Sequence, residues 1–170
     1  MGPGADVTFC APERGLKPAT TYPIEAFVLK PSGPKNRVDR NLQNGGVDSE
    51  DQLLYRILAA ARLVHSTLGP GFMESIYGRA LGVELRNSGL QIDREKTIRI
   101  WYGPCLVGKH RLDLLVGRSV IIELKANRGI IPIHIAQMNS YLHASSYPVG
   151  LLLNFGTTEL QWEVVRLNGA

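Results

Sequence analysis

The spacing of apolar residues changes several times along the chain, and each change marks an element. Leu53, Leu54, Ile57, Leu58, Ala61, Val64 and Leu68 recur three and four apart, as on a helix that buries one face. Asp48 or Ser49 can cap its start, and Gly69-Pro70-Gly71 ends it. A second helix is expected from about Phe72 to Asn87, closed by Ser88-Gly89. On it Phe72, Ile76, Ala80 and Val83 make a broad apolar face, while Ser75, Arg79 and Arg86 make the solvent stripe. Glu74 belongs to neither; it shares a line with Leu81 and Leu85, bordered by Tyr77.

The period then falls to two. An extended piece near Leu90–Asp93 and a strand over Lys96–Tyr102 lead to a turn at Gly103-Pro104. From Arg111 to Ala126 the pattern reads as two strands joined by a short turn. His110, Leu112, Leu114 and Val116 alternate with Arg111, Asp113 and Leu115; after Gly117-Arg118-Ser119 comes Val120–Lys125. Glu123 and Lys125 project to one side, Ile122 and Leu124 to the other. A three-residue loop pairs Leu115 with Ile121 and sets Asp113 opposite Glu123, whereas an even loop would turn Asp113 away.

A third helix is expected from about Pro132 to Ser145, with proline at a favoured first-turn position. Ile131, Ile135, Met138 and Leu142 form its core stripe, and Asn139 and His143 face solvent. Between them His134, Gln137 and Tyr141 stack on one flank, three and four apart. The apolar run Pro148–Phe155 marks a strand buried on both faces, and alternation around Leu160, Trp162 and Val164 marks a last strand nearer an edge. The expected order is α-α-β-β-β-α-β-β.

Composition divides the chain near residue 47. Residues 1–47 hold six of the ten prolines and six glycines without any period, so a poorly ordered extension is expected there and one folded domain over 48–170. The net charge of +4 permits a nucleic-acid partner without demanding one. Cys10 and Cys105 lie far apart, as reduced thiols of a cytoplasmic protein do. No apolar run approaches the roughly 18 residues of a membrane span, and no secretory signal pattern is present.

Two carboxylates and an ammonium inside strands as apolar as VIIELKA need a reason, because unpaired charge in such surroundings is costly. Hard cations such as Mg²⁺ or Mn²⁺ take one or two carboxylates plus water and phosphate. Asp113 and Glu123 can share one ion from adjacent strands, and Lys125 can orient water or neutralise a scissile phosphate. The parts suit metal-assisted cleavage of phosphodiesters.

The pattern resembles the PD-(D/E)XK nuclease superfamily, where a helix precedes a mixed sheet whose hairpin carries Asp and Glu-x-Lys. More narrowly, GFMESIY at Gly71–Tyr77 is similar to the motif of the GxxExxY protein family. So are LGPG at Leu68–Gly71, RLDLLV at Arg111–Val116, IIELKA at Ile121–Ala126, PIHIAQMNSYL at Pro132–Leu142 and GLLLNFG at Gly150–Gly156. The likeness runs from about Asp51 to Leu167. It implies an α/β nuclease-like core, a mixed sheet flanked by helices. It also implies Glu74 as the upstream helical acid, Asp113 and Glu123 as the metal pair, and Lys125 as the catalytic lysine. Gln137 and Tyr141 repeat a Q-x-x-x-Y pattern that contacts substrate in the RecB-like and lambda-exonuclease-like branches, and His134 joins them on that flank. Arg111-Leu112 stands where the superfamily's name has a proline, a position often replaced.

The expected function is a divalent-metal-dependent nuclease acting on DNA or RNA. The other reading is a nucleic-acid or protein-binding module that keeps the fold without turnover, although Lys125 beside two acids has no purpose there. A zinc site from Cys105, His110, His134 and His143 matches no compact zinc spacing.

Overall fold

The computed structural model describes residues 49–167. The extension expected over 1–47, and Cys10 with it, lies outside the described residues. Helix α1 (Glu50–Leu68) starts at Ser49, whose Oγ accepts from Gln52 N at 3.3 Å while Gln52 Oε1 accepts from Ser49 N at 2.8 Å. This reciprocal cap satisfies donors that the first helical turn leaves free. Gly71, at φ +116°, then lets the chain reverse into helix α2 (Glu74–Asn87).

The order expected from the sequence has eight elements; the structure has ten. Strands β1 (Ile92–Arg94), β2 (Thr97–Tyr102), β3 (Cys105–Arg111), β4 (Leu114–Val116) and β5 (Val120–Lys125) precede helix α3 (Pro132–Ser145), with β6 (Val149–Asn154) and β7 (Gln161–Arg166) closing the chain. A five-stranded mixed sheet runs β1-β4-β5-β6-β7, with β5 and β6 parallel and the other pairs antiparallel. β2 and β3 form a separate two-stranded ribbon.

The single strand expected through His110–Val116 is therefore two strands in two sheets. The chain leaves one ladder and enters the other at Leu112-Asp113. There Leu112 N donates to Lys96 O at 2.9 Å and Glu95 N to Asp113 O at 3.2 Å, so the break leaves these backbone groups paired.

The main sheet is covered on both sides. On one face α1 and α2 pack Leu53, Ile57, Leu81 and Leu85 against Val116, Ile122, Leu124 and Leu151. On the other, Met138 and Leu142 of α3 and Ile98 of the ribbon meet Leu115, Ile121 and Leu152. α2 is turned from its expected orientation. It buries Tyr77, Gly78, Leu81, Gly82 and Leu85, while Phe72, Ile76 and Val83 are exposed and Ala80 is half-buried. The reason is close approach: a Cβ on Gly78 would lie 2.9 Å from Leu124 Cδ1, so the glycine side of the helix is the side that fits against β5. On α3 the buried residues are His134, Met138, Tyr141 and Leu142, and Ile131 of the expected core stripe is half exposed.

Candidate active site

The turn between β4 and β5 has three residues, Gly117–Ser119, and pairs Val116 with Val120, Leu115 with Ile121 and Leu114 with Ile122. The next rung would join Asp113 to Glu123, but there the backbone has left the sheet. Asp113 fills the gap with its side chain: Oδ2 accepts from Leu124 N at 2.8 Å, replacing the ladder partner that β4 no longer supplies. This bond fixes the carboxylate beside the end of β5, and its other oxygen bonds no described residue.

Alternation along β5 puts Ile122 and Leu124 against α1 and α2, and Ile121 against α3. Glu123 and Lys125 share the α3 side. Lys125 Nζ donates to Glu123 Oε1 at 3.1 Å and to Gln137 Oε1 of α3 at 3.4 Å. Gln137 Nε2 in turn donates to Tyr141 OH, one turn along the helix. Glu74, the first residue of α2, reaches the same strand end from the other face, where Oε1 accepts from Ala126 N at 3.2 Å. Tyr77 sets that position by holding the loop before α2: its OH donates to Gly69 O at 2.7 Å and accepts from Phe72 N at 3.1 Å. Its ring stacks on Phe155, centroids 4.5 Å apart.

Electrostatics tie the cluster together. Glu123, 7% exposed, is pushed up to about 7, first by burial and then by the negative charge of Asp113; Lys125 opposes this and Glu74 adds to it. Its Oε2 is buried with no hydrogen-bond partner. Tyr141 is pushed up to about 12, first by burial and then by Glu123, so it stays a phenol near neutrality. His134 and His110 are both held below the usual histidine value, chiefly by burial. His134 Nδ1 accepts from Ile131 N at 3.3 Å, which ties this nitrogen to the start of α3.

Glu74, Asp113, Glu123, Lys125, Gln137 and Tyr141 thus meet at the end of β5, and His134 feels the charges of Lys125 and Glu74. The pattern of residues does not anticipate His110 here. A continuous strand would turn it away from Asp113, but the break at Leu112-Asp113 brings it over the site, its ring stacked on Tyr141 with centroids 4.0 Å apart. Asn154 is also missed. Fully buried at the end of β6, it accepts from Asn127 N at 2.9 Å and donates to Asn127 O at 3.1 Å, pinning the chain just after Lys125. Its one signal is a polar residue inside GLLLNFG. A surface pocket beside β1, lined by Arg86, Ile92, Leu115 and Arg118, shares no residue with the cluster.

The donor set fits a hard divalent cation. It offers carboxylate oxygens, a surplus of negative charge, and one buried oxygen on Glu123 that nothing else satisfies. Among the described residues no three His, Cys, Asp or Glu side chains are gathered tightly enough to hold a cation by themselves. Water and a phosphate would complete the shell, as is usual for Mg²⁺. Cys105 and His143 are exposed, and the four residues of the zinc reading do not form such a group.

A mixed sheet with this hairpin and these acids defines a nuclease-like fold, and sequence comparison gives the family. Residues 51–167 match the PD-(D/E)XK nuclease superfamily, and the chain belongs to it. Nucleases of this superfamily typically use divalent metals. Solved structures similar to it include the crystal structure of SSO0001, at 21% identity and TM-score 0.46, covering 55% of this chain and 50% of that one. The chain thus spans half the length of SSO0001. An alkaline exonuclease, LHK-Exo from Laribacter hongkongensis, is similar at 14% identity and TM-score 0.42, covering 72% of this chain and 73% of that one. The same exonuclease in complex with dAMP gives 14% identity and TM-score 0.41, covering 72% of each chain. Comparison with curated proteins finds no match. No helix among the described residues is long and apolar enough to cross a membrane.

Proposed function

We propose that this protein is a divalent-metal-dependent nuclease of the GxxExxY type that hydrolyses phosphodiester bonds of DNA or RNA. The observation that carries the reading is the unpartnered, buried Oε2 of Glu123, set beside Asp113 and Lys125. Asp113, Glu123 and Glu74 would hold Mg²⁺ or Mn²⁺, which when bound activates water and stabilises charge on the phosphate. Lys125 is the catalytic cation. Released from Glu123, its ammonium can meet the phosphate oxygen that gains charge during cleavage.

Gln137 holds Lys125 from the α3 side and donates to the Tyr141 oxygen, which leaves the Tyr141 proton free for a phosphate oxygen. His134 orders the start of α3 and sits within reach of the same charges, where it contacts substrate in this reading. The GxxExxY assignment rests on Gly71, Glu74 and Tyr77, whose joint effect is to aim Glu74 at the end of β5. A cytoplasmic location suits the exposed free thiol of Cys105.

Labelled single-stranded and duplex DNA and RNA, incubated with EDTA, Mg²⁺ or Mn²⁺, test the reading. Metal-dependent cleavage that Lys125→Ala reduces about 10²-fold or more, while the metal still raises Tm, is the expected result. A wild-type melting curve indifferent to both metals, with no substrate cut, refutes it.

A further inference from the structure

The β2–β3 ribbon contributes little to the core. Ile98 is its one buried apolar residue, whereas Trp101 is 55% exposed, Tyr102 80%, Val107 61% and Leu106 45%. An isolated two-stranded hairpin is marginally stable in water, so large aromatic groups held out on one need a use.

Charge on the ribbon narrows that use. Between Thr97 and Arg111 there are three cations, Arg99, Lys109 and Arg111, and no carboxylate. Register sets Arg99 directly opposite Lys109, both exposed. Like charges directly across a ladder repel, and an anion lying between them removes the cost. Arg111 is the next residue along this face on β3, paired with exposed Glu95 at 3.4 Å. Trp101, two residues beyond Arg99, continues the same face toward the tip, and Tyr102 follows at the turn from the other side.

The opposite face ties the ribbon to the site. Ile98 packs into the α3-side core, and His110, its ladder partner, stacks on Tyr141. Leu106, the ladder partner of Trp101, is four residues from His110 on β3, with a shift of register between them.

We propose that the β2–β3 ribbon is a binding arm for single-stranded nucleic acid, with Arg99 and Lys109 holding phosphates and Trp101 and Tyr102 stacking on bases. The arm rests on the nuclease reading, since it holds the strand that the site would cut. Cations followed by an exposed aromatic are how sequence-tolerant single-strand binders work, because every base has a face to stack and each phosphate a charge to hold. Duplex bases are already stacked on one another and offer Trp101 no free face.

The chain has two tryptophans, so Trp162→Phe leaves Trp101 as the fluorescent reporter. The full-length variant in EDTA is titrated with oligothymidylate and oligouridylate of about fifteen nucleotides, and with a duplex of the same length. Quenching by a single strand, DNA or RNA, and much weaker quenching by duplex is the expected result. The Trp101→Ala/Tyr102→Ala double variant should bind single strands about tenfold more weakly or worse with an unchanged Tm, since both side chains are exposed. Arg99→Gln and Lys109→Gln should each lower the slope of log affinity against log salt by about 0.7.

Unquenched Trp101, equal binding of duplex, or unchanged affinity of the double variant overturns the arm. So does a double variant that merely converts a dimer to a monomer in sedimentation, which would make the ribbon a self-association surface. Cleavage assays run in parallel separate the two ideas. Metal-dependent cleavage with unaltered binding by the double variant refutes the arm alone. Arm-dependent binding with no cleavage by wild type refutes the nuclease reading and leaves the arm standing.

Discussion

The two faces of the main sheet are built from the same strands and do opposite things. On the α1–α2 side, β5 presents Ile122 and Leu124 to a core of aliphatic residues and Phe155. On the α3 side the same strand presents Ile121, then Glu123 and Lys125, and the apolar layer gives way to a carboxylate, an ammonium, an amide and a phenol. Strand alternation makes this possible. One face can be optimised for packing while the other carries charge, with successive residues assigned to each. The charged face stays orderly because its groups hold one another: Asp113 on Leu124 N, Lys125 on Glu123 and Gln137, Gln137 on Tyr141. The cost that persists lies on two buried atoms that have no partner, Oε2 of Glu123 and Nε2 of His110.

Four changes break or sharpen this contrast. Asp113→Asn removes a charge from the α3 side while keeping its shape, and should lower cleavage about 10³-fold or more and abolish the metal-induced rise in Tm. The metal-free protein should be as stable as wild type or slightly more so, because the change relieves repulsion on Glu123. Melting with and without Mg²⁺ reads both effects. Ile57→Ala acts on the other side. Ile57 is fully buried in α1, which carries no candidate site residue, so stability should fall by about 2–5 kcal/mol in urea unfolding. Cleavage per folded molecule should stay within about twofold; a large loss would show that the faces are not separable.

The third concerns pH. Glu123 sits at about 7 in the metal-free fold and near 4.5 when unfolded, so the folded state binds more protons between these values. Stability from this group is fully present below about 4.5 and is lost as pH rises through about 7, on the order of 3 kcal/mol in all. In EDTA, Glu123→Gln should flatten that part of the Tm–pH profile. Added Mg²⁺ should stabilise wild type more as pH passes 7, since the ion competes with the proton. A wild-type profile already flat between pH 4.5 and 7 would show that Glu123 is not raised. Tyr77→Phe is the mildest. Loss of its bonds to Gly69 O and Phe72 N should cost about 1–2 kcal/mol, with a several-fold drop in cleavage if Glu74 depends on that loop. Unchanged cleavage would leave Tyr77 a purely structural anchor of the apolar face.

Local chemistry made much of this legible in the residues alone. The Ser49 cap, the Gly69–Gly71 break, Pro132 at the start of α3, the buried run of β6 and the odd turn pairing Leu115 with Ile121 all depend on short-range preferences. Three things were decided only in three dimensions. Gly78 and Gly82 let α2 meet the sheet on its Tyr77, Leu81 and Leu85 side, because closeness of approach outweighed the hydrophobicity of Phe72, Ile76 and Val83. The strand through Asp113 breaks where Lys96 and Glu95 pair with its backbone, and that break brings His110 to the site. Asn154 became the clamp behind Lys125 because the parallel pairing of β5 and β6 set their ends side by side. Capping and alternation act over a few residues and can be read along the chain. Contacts such as Gly78 with Leu124, or Asn154 with Asn127, join distant segments and exist only once the chain has folded.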